Sequence, residues 1–153
     1  MKRLDQPACR SEILTRLGNI SPHTQRLWGR MSAPQMICHL SDCYLSVMGD
    51  RPMEIPARFT WLRAIRSIVL YMPHHWPHGV PTRPEFDQVD GGGTHPSDFE
   101  TDLHTLLEAI GRFTAQPRAF AFRTHPMFGD MSEKDWMRWA YLHADHHLRQ
   151  FGC

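Results

Sequence analysis

Apolar residues return at helical intervals in five stretches of the chain, and proline or glycine separates each stretch from the next. The first runs from about Asp5 to Leu17, with Asp5 as the expected cap, Pro7 in the first turn and Gly18-Asn19 as the stop. Ser21-Pro22-His23 then leads into a short additional piece ending near Gly29. A second long helix opens at Ser32-Ala33-Pro34, carries Met36, Leu40, Cys43 and Val47 on one stripe, and ends at Gly49. A third begins near Pro56, continues through Trp61, Leu62, Ile65, Ile68 and Val69, and stops at Pro73.

Residues 73–96 break this rhythm. Pro73, Pro77, Pro81, Pro84 and Pro96, with Gly79 and the run Gly91-Gly92-Gly93, exclude regular helix and predict a long loop of the kind that often lines a binding site. Ser97 and Glu100 fit a capping box for a fourth helix whose stripe is Leu103, Leu106, Leu107 and Ile110, ending at Gln116-Pro117. Residues 118–123 alternate like a short extended segment before the loop His125 to Gly129. The last helix begins at Ser132, with acidic residues in its first turn, and runs to Phe151-Gly152. With no βαβ alternation, the fold class is all-α: a four-helix bundle with a short extra helix and a long Pro/Gly-rich loop, residues 1–153 forming one domain.

Composition narrows the function. At 153 residues the chain has one domain's worth of core, and its 41% apolar and 22% charged residues are those of a globular protein. A formal charge of +1 with no basic block makes nucleic acid a poor partner. Neither a leader peptide nor a membrane-spanning run is visible, so a cytoplasmic location is expected. Cys9, Cys38, Cys43 and Cys153 form no C-x-x-C pair and read as reduced, mostly buried thiols rather than a cysteine-zinc site.

Eleven histidines are the chemical signal. At about 100° per residue, His143 and His147 project roughly 40° apart on one helix face. Trp136, Trp139, Ala140 and Gln150 fall near that face, whereas Lys134, Arg138, Asp145 and Arg149 fall opposite it. A helical H-x-x-x-H pair is metal-ligand spacing, although a hydrogen-bonded core histidine gives the same pattern. His39, beside Gln35, Asp42 and Ser46 on the second helix, is the candidate third ligand. Three neutral imidazoles would leave coordination positions open on a divalent ion such as Zn, Ni or Fe. His146 competes for the pair with His143, but sits about 100° from His147 and is expected in packing or as a second layer around the ligands, with Asp42 and Gln150. His74, His75 and His78 read as solvated loop residues, and His23, His95, His104 and His125 as surface or capping groups. No G-x-S-x-G, H-E-x-x-H, P-loop or G-x-G-x-x-G motif is present.

Three blocks, Leu27 to Asp42, His125 to Gly129 and Tyr141 to Phe151, resemble the DinB/YfiT-like superfamily of metalloenzymes. The stretch Gly79 to Phe86 resembles a branch of it without known function. The resemblance implies a four-helix bundle with one metal ligand on the second helix and two on the last, which match His39, His143 and His147. Some members of the superfamily are thiol-dependent transferases or isomerases, so the resemblance implies a metal-dependent enzyme with a small-molecule substrate or low-molecular-weight thiol as partner, while water activated at an open metal position would make it a metal-dependent hydrolase instead. The rival expectation is a non-catalytic bundle in which metal or buried imidazole braces helices. A homodimer is compatible with both.

Overall fold

The computed structural model describes residues 1–55, 64–73 and 75–153. Five α-helices and no strand occur among them: α1 Pro7–Gly18, α2 Ala33–Met48, α3 Arg66–Tyr71, α4 Phe99–Thr114 and α5 Glu133–Gln150, with a 3-10 turn at Pro84–Phe86. The helical bundle expected from the apolar periodicity is therefore present. The first half of the expected third helix, with Pro56, Trp61 and Leu62, lies outside the described residues, as does His74. None of the helices is long and apolar enough to cross a membrane.

Local chemistry sets the helix ends. Ser32 and Gln35 form a reciprocal capping box on α2, and Ser132 and Asp135 form one on α5. At two other ends the expected cap is replaced. α1 starts from Gln6 without a side-chain cap, because Pro7 lacks an amide to satisfy and Asp5 is drawn to Arg3 at 3.0 Å. α4 starts from Asp98, whose carboxylate accepts from the Thr101 amide at 3.0 Å, while Ser97 bonds to Asp102.

α2 is buried on nearly every side, packing most extensively on α4 and also on α5. α5 in turn contacts α1, α2 and α3. Being covered from several directions, α5 has no fully solvated face. Arg138, expected opposite the core, is buried and donates to the carbonyls of Leu70 and Lys2 at 2.8 Å each. Asp145 pairs with Arg16 of α1 at 2.7 Å. Between α1 and α2, residues 21–30 form turns instead of the short helical piece expected, and α3 lies within the span of the expected third helix. Among the described residues the segment 118–123 pairs with no strand; one isolated bridge links His125 to Gly129.

The Pro/Gly-rich loop folds back on itself. Gly92 and Gly93 donate to the carbonyls of Pro84 and Asp87 at 2.8 and 3.1 Å, which lays the 3-10 turn against α2. A Cβ at Gly93 would come within 2.6 Å of Gln88 Nε2, so the bare glycine is what lets the Gln88 side chain pass beneath the loop into the bundle.

Candidate metal centre

α2 and α5 bring three histidines into one buried cluster. The ring centroids of His39 and His143 are 5.3 Å apart, those of His39 and His147 4.7 Å, and those of His143 and His147 4.9 Å. Each of the three residues is less than a tenth exposed. His39 Nε2 and His143 Nε2 approach to 3.3 Å, and Cys43 Sγ lies 3.7 Å from His39 Nε2. His39, Cys43 and His143 offer donor atoms all within 4.8 Å of one another.

Hydrogen bonding decides which nitrogen of His39 faces this cluster. Its Nδ1 is 2.8 Å from the Phe86 carbonyl and 3.2 Å from Gln88 Oε1. The Gln88 amide is oriented by its far side, where Nε2 donates to the Asp42 carboxylate at 2.8 Å. With two oxygen acceptors on it, His39 Nδ1 carries the proton and Nε2 presents a lone pair to the cluster. Asp42 is itself held by the Thr94 amide and hydroxyl at 2.8 and 2.7 Å and by Arg51 at 3.3 Å. It supports His39 through Gln88 and does not touch it. Gln150 stands in the same relation to His147, 3.1 Å from its Nδ1.

His143 is the incompletely satisfied member. Its Nδ1 is buried without a hydrogen-bond partner among the described residues, and its ring rests against Trp139 at a centroid distance of 5.0 Å. If its proton sits on Nε2 and is donated to His39, the Nδ1 lone pair is orphaned. If the proton sits on Nδ1, an N–H is orphaned and two lone pairs face each other. A cation between the two Nε2 atoms removes that repulsion, and the spacing suits one. Two nitrogens each about 2.0–2.1 Å from a tetrahedral ion lie roughly 3.3–3.4 Å apart, and a nitrogen and a thiolate sulfur roughly 3.6 Å.

The electrostatics also suit ligation. Burial holds His39 below the ordinary histidine range. Burial, reinforced by the neighbouring imidazoles, holds His143 and His147 well below it, so all three rings are neutral at pH 7. Burial pushes the Cys43 thiol well above its usual range, so without a metal it stays protonated.

One end of the cluster meets solvent through a cleft of about 320 Å³. His147, His146 and Gln150 contribute from α5, Trp28, Arg30 and Met31 from the connection before α2, and Val80, Thr82, Asp87 and Val89 from the Pro/Gly-rich loop. That loop therefore lies beside the site, through both the cleft wall and its contacts to His39. His146 is half-buried at the cleft mouth, its ring 4.8 Å from that of Trp28 and 6.0 Å from that of Trp76. Burial and the nearby His78 lower it to about 4.

Of the remaining histidines, His23, His75, His78, His95 and His104 are exposed, as expected. His125 is not at the surface. It is buried, stacks on Phe128 at 4.6 Å, and its Nδ1 accepts from the amides of Met127 and Phe128 at 3.1 Å each, so it caps its turn from inside the core. Cys43 and Gln88 were not marked as site residues by the sequence. The signal for Cys43 was available: it follows His39 by four residues, the same spacing as His143 and His147. Gln88 carries no comparable local signal.

No curated protein and no solved structure gives a significant match to this chain. A family pattern does, over residues 12–152, nearly the whole length and including every residue of the cluster. The chain belongs to the family described as Protein of unknown function (DUF1569).

Proposed function

We propose that this chain is a metal-dependent enzyme in which one divalent ion is held by His39, His143 and His147, and that its substrate enters by the cleft ending at His147. The observation that carries the reading is the 3.3 Å approach of two imidazole Nε2 atoms, one of them fixed as a lone pair, in a buried site with an orphaned ring nitrogen. His147 joins the set because its ring packs on both of the others and because the ligand pattern of the DinB/YfiT-like superfamily, which the chain resembles, falls on these three positions. Imidazole donors without a carboxylate favour zinc, nickel or ferrous iron over magnesium or calcium. Such an ion, when bound, lowers the pKa of a coordinated water or thiol and so supplies a nucleophile near neutral pH. The protein's own part is to exclude bulk water with Trp139 and Trp76 and to hold the ligand rings through Gln88 and Gln150.

Cys43 supports a second reading. At 3.7 Å from His39 Nε2 it is placed to be a fourth protein donor, which would close the coordination sphere and leave a bracing, non-catalytic metal. Substituting cobalt(II) for the resident ion separates the two. Without cysteine ligation the parent protein and Cys43→Ser share one visible spectrum and show no sulfur-to-cobalt charge-transfer band. A strong band in the parent that Cys43→Ser removes contradicts the open site and selects the closed one. For the thiol-dependent form of the enzyme reading, calorimetric titration of metal-loaded protein with glutathione, bacillithiol, mycothiol and coenzyme A should show binding by at least one, lost in the His143→Ala/His147→Ala variant. No binding by any of them at millimolar concentration removes the thiol chemistry and leaves hydrolysis.

A further inference from the structure

Gln150 is the last residue of α5, and every polar atom of its amide is committed. Nε2 donates to the Trp28 carbonyl at 3.0 Å, and Oε1 lies 3.1 Å from His147 Nδ1. A carbonyl can only accept, so the amide cannot be turned the other way, and Oε1 requires a proton on His147 Nδ1. The Gln150 backbone carbonyl in turn accepts from the Leu27 amide at 2.7 Å. The connection before α2 thus grips this residue at both its main chain and its side chain.

The grip needs a glycine. Gly29 has φ +82°, and a Cβ built there would lie 2.1 Å from Gln150 Nε2 and 3.2 Å from its Cδ. Any other residue at position 29 would be strained in its backbone and would displace the amide. The seat for the Gln150 side chain is therefore made by the absence of a side chain at Gly29.

We infer that Gln150 is a positioning residue: seated on Gly29 and anchored to the Trp28 carbonyl, it fixes His147 as the Nδ1–H tautomer and so presents the His147 Nε2 lone pair as the metal donor. A histidine side chain left to itself in water favours the Nε2–H form, which cannot ligate through Nε2, so the tautomer has to be imposed. His39 receives the same treatment from the Phe86 carbonyl and Gln88. There two acceptors share the task, whereas Gln150 is the one hydrogen-bond partner of His147 Nδ1 among the described residues. The consequence for the ion rests on the proposed metal reading; the tautomer itself does not.

The test is long-range ¹H–¹⁵N correlation spectra of histidine-labelled, metal-stripped protein, with His147 assigned from a His147→Gln spectrum. In the parent, His147 should appear as the Nδ1–H form. Gln150→Leu and Gly29→Ala should each shift it to the Nε2–H form or to exchange between the two. Gln150→Glu keeps an acceptor for Nδ1–H but loses the donor to the Trp28 carbonyl, so it should retain the Nδ1–H form, held less firmly than in the parent. A merely structural role for Gln150 would not produce that rescue. Zinc titrations of the same samples should show affinity weakened roughly 10–100-fold in Gln150→Leu and less in Gln150→Glu. His147 remaining Nδ1–H in a folded Gln150→Leu protein overturns the inference, whatever the zinc result. The expected tautomer pattern in a parent chain that takes up no zinc overturns the metal reading and leaves this assignment standing. Should Gly29→Ala not fold, Gln150→Leu and Gln150→Glu decide alone.

Discussion

The hydroxyl of Tyr44, fully buried on α2, donates to the backbone carbonyl of Ala140 on α5 at 2.9 Å. Ala140 is one turn before His143, and Tyr44 a little more than one turn after His39, so this bond fixes how far α2 can slide along α5. It therefore sets the separation of the two imidazoles. Tyr44→Phe keeps the ring packing against Phe113 and Trp139 and removes only the bond. It should cost about 1 kcal/mol of stability, read as a lower urea midpoint at unchanged m-value. A midpoint equal to the parent's means the bond does not hold the register.

Arg138 is a buried cation without a carboxylate partner among the described residues, and burial lowers its pKa. Its two bonds join the last turn of α3 and the chain before α1 to α5. Arg138→Met retains most of the apolar stem but leaves the carbonyls of Leu70 and Lys2 without these donors. A loss of about 1–3 kcal/mol is expected in chemical unfolding. A neutral or stabilising result would show that desolvating the guanidinium costs as much as its two bonds return.

His125 gives the fold an acid limb. Burial lowers it to about 3, with the Arg83 charge acting the same way. In the unfolded chain a histidine titrates near 6.5. Between these values the unfolded state binds a proton that the folded state refuses, so the contribution is intact above about pH 6.5 and is lost progressively as pH falls toward 3. His125→Asn, whose side-chain oxygen can still accept from the turn amides, should be less stable at pH 7 because it forfeits ring packing, yet its stability should fall less steeply between pH 6.5 and 4. Parallel slopes for parent and variant would assign the acid limb elsewhere.

Much of this was legible in the chain. The helices were, because their apolar stripes and breakers are local: Ser32, Gly49 and Ser132 mark ends that the structure keeps. The caps at Asp5 and Ser97 were not, because each motif had a rival one residue away, and Arg3 and Asp102 tipped the choice. Arg138 was misplaced because a helical wheel assumes one solvent face, and α5 is covered by α1, α2 and α3. In the site, the inward turn of His39, His143 and His147 follows from periodicity alone. Gln88 does not, since it reaches His39 across 49 residues of sequence. Cys43 belongs to no C-x-x-C pair, and its only local signal is its helical spacing of four residues from His39.

The central claim is that a divalent ion sits among His39, His143 and His147, and metal stoichiometry measures it most directly. Parent protein, His39→Ala, His143→Ala, His147→Ala and His146→Ala are purified alike, loaded with zinc, desalted and analysed for metal per chain, with circular dichroism confirming the fold. The parent and His146→Ala should hold close to one ion per chain, and the other three should hold little. One ion retained by His147→Ala and lost by His146→Ala, or a parent that holds none, contradicts the account.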